Sequence, residues 1–189
     1  MADASLPSLD DRCGRHFSYR DLIEVGSTWA QHRIDNRPQQ PATYEAMAAL
    51  CAAVLDPVYE RFGGVVLTHG FASPSLDELI HQRPNPNTTR SRDQHAGCEL
   101  NGRGKPYCPR LGLAVDLHCP GTGSTAIARW VTEHTPFDRL YFYDDSRPFH
   151  VSVGPDQSLQ IVLMATAPSD RLIPRRISAA VFTRIPSRH

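Results

Sequence analysis

The sequence predicts an α+β domain whose sheet is mostly antiparallel and whose helices pack on one side of that sheet. Two observations on the chain of 189 residues predict this class. Helical periodicity dominates the first part of the chain, whereas short apolar segments of strand length dominate the second part. A single further helix interrupts those segments, and helices followed by strands in this order are typical of α+β architectures.

Four helices are predicted from serine caps and from the spacing of apolar residues. The second is the clearest, because its apolar residues recur with a period of 3.6. Pro57 should kink this helix or divide it into two abutting helices, and Gly63 and Gly64 should end it. Ser18, Ser75 and Ser124 are the expected first residues or caps of the others. The predicted helices span residues 19–25, 43–62, 75–82 and 125–133.

Five strands are predicted from short apolar segments bounded by turn residues. They span residues 65–68, 111–117, 140–143, 150–153 and 159–164. Residues 83–110 form a long polar connection, and loops of this length inside a compact domain are usually functional or disordered. We therefore expect one domain over residues 18–165, an irregular lead-in over 1–17, and a C-terminal tail or edge element over 166–189.

The charge balance excludes several function classes. Lys and Arg together number 20, Asp and Glu also number 20, and the formal net charge is zero. This neutrality argues against long-range attraction to nucleic acid or to anionic membranes, so neither is an expected partner. The chain shows no signal-peptide pattern and no apolar run of the roughly 18 residues that a membrane helix needs. We expect a cytoplasmic protein, and the sequence leaves its oligomeric state open.

Three side chains in the second half of the chain point to metal chemistry. His95 lies late in the long polar connection, Asp116 lies within an otherwise apolar strand, and His150 begins another strand. A carboxylate in such a strand is costly to bury unless a positive charge or a metal ion accompanies it. Two histidines and one carboxylate leave a fourth zinc position for water, which is the pattern of catalytic zinc sites. Zinc lowers the pKa of such a water and makes it a nucleophile.

An ordered set of short motifs spans roughly residues 16–155. Gly112, Ala114 and Asp116 match the second half of the pattern Ser-x-His-x-x-Gly-x-Ala-x-Asp, and His95 matches its first half. The other matching segments are Asp35-Asn36-x-Pro38, Leu55-Asp56-Pro57, Arg61-Phe62-Gly63, Gly70-Phe71-x-Ser73, Phe137-Asp138-Arg139-Leu140 and His150-Val151-Ser152. In these motifs the chain resembles the zinc D-alanyl-D-alanine carboxypeptidases and the related peptidoglycan L,D-endopeptidases, whose fold is shared with the hedgehog signalling domain.

The resemblance implies a hedgehog/DD-peptidase-like fold, Zn²⁺ bound by His95, Asp116 and His150, and hydrolysis of a peptide bond near a D-amino acid. The implied substrate is a small peptide or a peptidoglycan fragment. Positions 95 and 116 are 21 residues apart, whereas the family motif separates its ligands by seven. Residues 96–110 are therefore interpreted as a loop inserted between two ligands.

The resemblance leaves the acid/base and the substrate-binding residues open. The family's catalytic glutamate corresponds to Tyr143 when the strands are aligned and to Asp144 when residues are counted back from His150. Asp145 is the neighbouring alternative, and any of these groups would have to move a proton between water and the leaving amine. The family arginine that holds a substrate carboxylate corresponds to Ala72. Its role could pass to Arg90, Arg92 or Arg110, and His69 could contact the metal ligands or the substrate.

Two further alternatives follow from these departures. The chain could be a non-catalytic zinc-binding module that recognises a peptide or a protein partner. Cys98 and Cys108 could form part of a separate closed zinc site with His95, which would need a fourth ligand from elsewhere in the chain. They could also form a disulfide or remain as loose thiols. The neighbouring Glu99 is expected to be a solvated loop charge.

Overall fold

The fold is described by a computed structural model, and the description covers residues 6–83, 93–166 and 172–187. Seven α-helices lie in this part of the chain: α1 (Tyr19–Ile23), α2 (Ser27–His32), α3 (Pro41–Leu50), α4 (Asp56–Phe62), α5 (Pro74–His81), α6 (Ser124–His134) and α7 (Ala179–Phe182). A π-helical turn, Cys51–Leu55, joins α3 to α4, and a short 3₁₀ helix spans Gln94–Ala96. No helix in these ranges is long and apolar enough to cross a membrane.

Six strands form one mixed sheet, and the architecture is α+β as predicted. They are β1 (Val66–His69), β2 (Leu113–His118), β3 (Arg139–Phe142), β4 (Phe149–Val153), β5 (Gln160–Thr166) and β6 (Leu172–Ile177). Their order in the sheet is β1-β2-β4-β3-β5-β6. All neighbours pair antiparallel except β3 and β5, which are parallel.

The two faces of the sheet differ in chemistry because side chains alternate along each strand. One face is apolar and packs against α1, α3, the π-helical turn, α4, α6 and α7 in a single core. Val115 and Leu117 of β2 and Phe149 and Val151 of β4 belong to this face. Asp116 and His150 alternate with them, so they lie on the opposite face. The sequence pattern of these two strands thus determines which side of the sheet carries polar groups.

The structure corrects several predicted element boundaries. The long second helix is present over 41–62, and the disturbance predicted at Pro57 is a π-helical turn just before it, with Pro57 in the first turn of α4. The π-helical turn followed by a new first turn tolerates Pro57, which has no backbone N–H to donate. The cap of α5 is Ser73, whose hydroxyl accepts the Leu76 N–H, and Ser75 lies inside the helix. α2, α7 and β6 were not predicted, and β6 forms an edge of the sheet from residues expected in a tail or edge element.

Candidate metal centre

His95, Asp116 and His150 come together on the polar face of the sheet. One ligand atom from each lies within 4.8 Å of the others, and the three residues could hold a metal ion. Nε2 of His95 is 3.3 Å from Oδ1 of Asp116, and Nδ1 of His150 is 3.1 Å from the same oxygen. The two ring nitrogens are 3.1 Å apart. Three donor atoms therefore form a nearly equilateral triangle.

This triangle has the dimensions of one face of a tetrahedral zinc site. Ligands about 2.0–2.1 Å from a tetrahedral zinc ion are about 3.3 Å from one another. The three observed separations, 3.1, 3.1 and 3.3 Å, are close to that value. Two imidazole nitrogens and one carboxylate oxygen are also the donor types that zinc accepts. The residues present thus fit a zinc ion in both geometry and chemistry.

Strand register brings two of the ligands together. Asp116 of β2 is directly opposite His150 of β4, and residues opposite each other in an antiparallel pair share a face. Their neighbours continue the row: His69 of β1 is opposite Asp116, and Tyr141 of β3 is opposite His150. The Tyr141 and His150 rings meet edge to face at 5.0 Å. The sheet therefore fixes the position of Asp116 and His150.

His95 reaches the sheet from the 3₁₀ helix. Its Nδ1–H donates to the carbonyl of Gly70 at 2.8 Å, which directs Nε2 toward Asp116. A hydrogen bond of this kind from the second ring nitrogen orients a metal-binding histidine and fixes its tautomer. Asp93 accepts the backbone N–H of His95 at 3.0 Å and thereby caps the 3₁₀ helix. His95 is only 3% exposed and so approaches the metal position from the protein interior.

Gln94 anchors the turn that carries His95. Its amide nitrogen donates to the Leu111 carbonyl at 2.8 Å and to the Asp138 carboxylate at 3.0 Å. Its amide oxygen accepts the hydroxyl of Ser152 on β4 at 2.9 Å. Gln94 and Asp138 are almost fully buried. Because buried polar networks are rigid when every member is paired, Gln94 fixes the distance between His95 and the sheet.

The three ligand side chains perturb one another electrostatically. Burial alone would lower the pKa of His95, but the carboxylates of Asp93 and Asp116 and the Gly70 hydrogen bond raise it to about 9. Burial alone would raise the pKa of Asp116, but the two histidines hold it well below its usual range. The site therefore contains a carboxylate that stays ionised and favours a cation.

A cavity of about 510 Å³ opens above the three ligands and continues over the polar face of the sheet. Within the described ranges its only acidic lining residues are Asp93 and Asp116. Tyr141, Tyr143 and three arginines also line it. Burial raises the pKa of Tyr143 to about 12, so its phenol stays protonated and can donate a hydrogen bond. This volume lies in the range of small-ligand sites.

The structure places the two predicted acid/base carboxylates outside this cavity. Asp144 is exposed, and its Oδ1 accepts three hydrogen bonds from Ser146 and Arg147 in a tight turn. Asp145 accepts the Thr125 N–H at 2.8 Å and so caps the start of α6. Neither lines the cavity, whereas the third alternative, Tyr143, does.

The predicted substrate-binding residues have different outcomes. Arg90 and Arg92 lie outside the described residues. His69 lies beside His95, with ring centroids 4.1 Å apart, but it is not part of the metal triangle. Burial and the neighbouring His95 lower the pKa of His69 to about 4, so this ring is neutral at physiological pH. It belongs to the immediate surroundings of the ligands.

Residues 96–110 form an ordered excursion between the ligands. A bridge between Leu100 and Pro106 closes its tip, and Glu99 anchors its base. The expectation that Glu99 is a solvated charge is wrong: it is 3% exposed, and its carboxylate accepts hydrogen bonds from the start of α3. Cys98 and Cys108 are free thiols, so they form no disulfide, and neither belongs to the metal triangle.

Sequence reasoning missed several residues around the site. Gln94 and Asp93 are adjacent to the predicted ligand His95, and their role depends on burial that no sequence pattern indicated. Arg147 and Arg176 line the cavity from segments that were predicted to be a turn and a tail or edge element. The available signal was the continuous apolar run of β5 over residues 161–165, because such a run is typical of a strand that is covered on both faces inside a sheet.

Comparison of the chain with family models, with curated proteins and with solved structures found no match of any of the three kinds.

Proposed function

We propose that this protein is a zinc-dependent hydrolase that cleaves a peptide bond in a peptidoglycan-type or D-amino-acid-containing peptide. One observation carries the metal part of the proposal, namely the triangle of donor atoms at 3.1–3.3 Å in His95, Asp116 and His150. The resemblance of the ordered motifs to zinc D-alanyl-D-alanine carboxypeptidases and L,D-endopeptidases supports the substrate class. The same resemblance supports a fold of the hedgehog/DD-peptidase type.

The residues around the ligands suit hydrolysis. Zinc held by two histidines and a carboxylate lowers the pKa of water and polarises a carbonyl group. Hydrolysis also needs a group that accepts a proton and returns it to the leaving amine. Asp93 is the acidic residue of the described cavity lining that is not a ligand, so we assign it this role. The phenol of Tyr141 or Tyr143 could donate a hydrogen bond to the developing oxyanion.

The first experiment tests metal and activity together. Protein purified without chelators should contain one zinc ion per chain by inductively coupled plasma mass spectrometry, and His150→Ala should lose it. Wild-type protein should release amino acids or shorter peptides from purified muropeptides, as followed by mass spectrometry. The absence of zinc, or a zinc content unchanged in His150→Ala, would refute the proposal.

Matched variants separate the candidate proton acceptors. Asp93→Asn keeps an oxygen that can cap the 3₁₀ helix but cannot accept a proton. It should keep zinc and lose hydrolysis by at least about a hundredfold. Asp144→Asn and Asp145→Asn should change hydrolysis less than threefold. A large loss confined to Asp144→Asn would instead support the acid/base role predicted by counting back from His150.

A non-catalytic zinc-binding module is the second candidate. The observation that favours it is the position of Asp144 and Asp145, which serve a turn and a helix cap rather than the cavity. This candidate predicts zinc in the wild-type protein, peptide binding without turnover, and an Asp93→Asn variant that binds as well as wild type. Hydrolysis that is lost in Asp93→Asn would exclude it.

A further inference from the structure

The cavity above the metal triangle continues far beyond the ligands, and strands β5 and β6 build its distal half. Gln160, Val162 and Met164 of β5 line it, together with Pro174 and Arg176 of β6. These strands lie at and beyond the end of the segment that carries the family resemblance, which covers roughly residues 16–155. The distal half is therefore a feature of this chain and not part of the motif pattern.

Register places Arg176 in line with the metal triangle. His150 is opposite Tyr141, Tyr141 is opposite Val162, and Val162 is opposite Arg176. Adjacent strands are about 4.8 Å apart, so the Cα of Arg176 is roughly 14 Å from that of His150 across the sheet. The arginine side chain reaches back over part of this distance. An extended peptide advances about 3.3 Å per residue, so the span corresponds to two to four residues.

Arginines outnumber acidic residues in the described lining of the cavity. Asp93 and Asp116 lie at the metal end, where Arg110 and Arg147 also lie, whereas Arg176 lies on the distal strand β6. Arg110 donates to the hydroxyl of Tyr141 at 3.0 Å, and the Arg147 guanidinium lies 4.5 Å from the centre of the Tyr143 ring. Both arginines thus rest against aromatic residues beside the ligands. A bound metal cation would add to the positive potential of the cavity.

Resting on the proposed function, we infer that the cavity selects an acidic peptide, with a side-chain carboxylate two to four residues from the bond at the metal centre paired with Arg176. Arginine suits this contact because its planar guanidinium binds a carboxylate through two parallel hydrogen bonds. The neighbouring Val162 and Met164 would cover the aliphatic part of the same side chain.

Arg175 provides a matched control within the same strand. Arg176 is opposite Val162, which lines the cavity, whereas Arg175 is opposite Leu163, which packs against the hydrophobic core. Adjacent strand residues point to opposite faces, so only Arg176 faces the cavity. Both side chains are exposed. A charge reversal at either position changes the net charge equally and alters the cavity in only one case.

The experiment uses fluorescein-labelled hexapeptide amides of glycine and alanine with a single glutamate scanned through the six positions. Each has counterparts with glutamine or lysine at the same position, and fluorescence anisotropy measures the dissociation constants with zinc-supplemented full-length protein. For at least one position, the glutamate peptide should bind wild type about tenfold more tightly than the glutamine peptide. Arg176→Gln should abolish this preference, and Arg176→Glu should reverse it in favour of lysine. Arg175→Glu should keep it within about twofold.

Three results would overturn the inference: equal affinities for glutamate and glutamine at every position, an equal loss in Arg175→Glu and Arg176→Glu, or tighter binding of a labelled (dT)6 oligonucleotide than of any peptide. Mass spectrometry of the same samples reports cleavage separately. If the protein prefers the glutamate peptide but binds no zinc and cleaves no peptide, the hydrolase proposal is refuted and the acidic-peptide site remains supported. If the protein cleaves peptides but shows no glutamate preference, the acidic-peptide site is refuted and the hydrolase proposal remains supported.

Discussion

Replacing Gln94 with leucine tests whether the network beside His95 holds the metal centre in place. Leucine has a similar volume but no polar atom, so the change removes hydrogen bonds without leaving a large cavity. The Asp138 carboxylate loses one charge-assisted bond, worth about 1.5–3 kcal/mol. The Leu111 carbonyl and the Ser152 hydroxyl each lose a neutral bond, worth about 0.5–1.5 kcal/mol. The lost partners are those that the Gln94 amide contacts at 2.8–3.0 Å.

The free energy of unfolding should therefore fall by about 3 kcal/mol once the added apolar burial is allowed for. Urea unfolding followed by circular dichroism in the presence of EDTA measures this loss without a contribution from bound metal. Zinc affinity, measured by competition with a chromophoric chelator, should fall about 10–100-fold because the turn that presents His95 loosens. The two measurements separate damage to the fold from damage to the site.

Gln82→Leu is the matched control, because Gln82 is exposed at the end of α5 and the side-chain change is identical. It should leave both quantities within experimental error. Gln94→Glu keeps the size of the side chain but places a second negative charge beside Asp138, so it should destabilise the protein at neutral pH and less so in acid. A Gln94→Leu variant that loses less than about 1 kcal/mol and binds zinc as tightly as wild type would refute this reasoning.

Three further predictions concern residues away from the ligands. Glu99→Ala should lower the free energy of unfolding by about 2 kcal/mol in urea, because the buried Thr43 hydroxyl and the part-buried N–H groups just before α3 lose their acceptor, whereas the exposed Glu45→Ala should have little effect. Burial opposes ionisation of Asp138, but its hydrogen bonds lower its pKa below the ordinary value. The stability that it contributes is therefore complete above its ordinary pKa and is lost as the pH falls through the lowered pKa. Asp138→Asn should flatten that acid-side decline and be less stable at pH 7, as measured by urea midpoints from pH 2.5 to 7. Gly112→Ala should cost at least about 2 kcal/mol, because φ is +78° and the new Cβ would lie 1.9 Å from the Val153 carbonyl oxygen, whereas Gly102→Ala meets no neighbour. Equal thermal unfolding midpoints for the two alanine variants would contradict this account.

The polar face of the sheet could be predicted in part from sequence because local patterns encode it. Short apolar segments predicted both strands, and the structure shows that Asp116 and His150 lie on the face opposite the buried apolar residues. The order of elements predicted a mostly antiparallel sheet but not the pairing of β2 with β4 that places the two residues opposite each other. Their shared register is a property of the folded sheet, and only the ordered motifs indicated that the two residues should meet.

Other features depend on contacts that local patterns do not encode. β6 contains Pro174 and two arginines and is mostly exposed, so its strand conformation comes from pairing with β5 rather than from an apolar stripe. Asp144 and Asp145 are adjacent acidic residues close to a ligand, and only the structure shows that they serve a turn and the start of α6. Glu99 was misread for the same reason, because the backbone groups that it binds are about sixty residues away in sequence.

The length of the excursion between His95 and Asp116 can change without changing the geometry of the metal centre. Gln94 fastens one end of it to the sheet, Glu99 fastens the next turn to α3, and the Leu100–Pro106 bridge closes the tip. The tip residues between Leu100 and Pro106 are held neither by the metal centre nor by the core. The tip over 101–105 could therefore be shortened, lengthened or exchanged for an epitope or a fluorophore-binding tag without moving His95. It gives the protein engineer an insertion point in the segment that links two of the ligands.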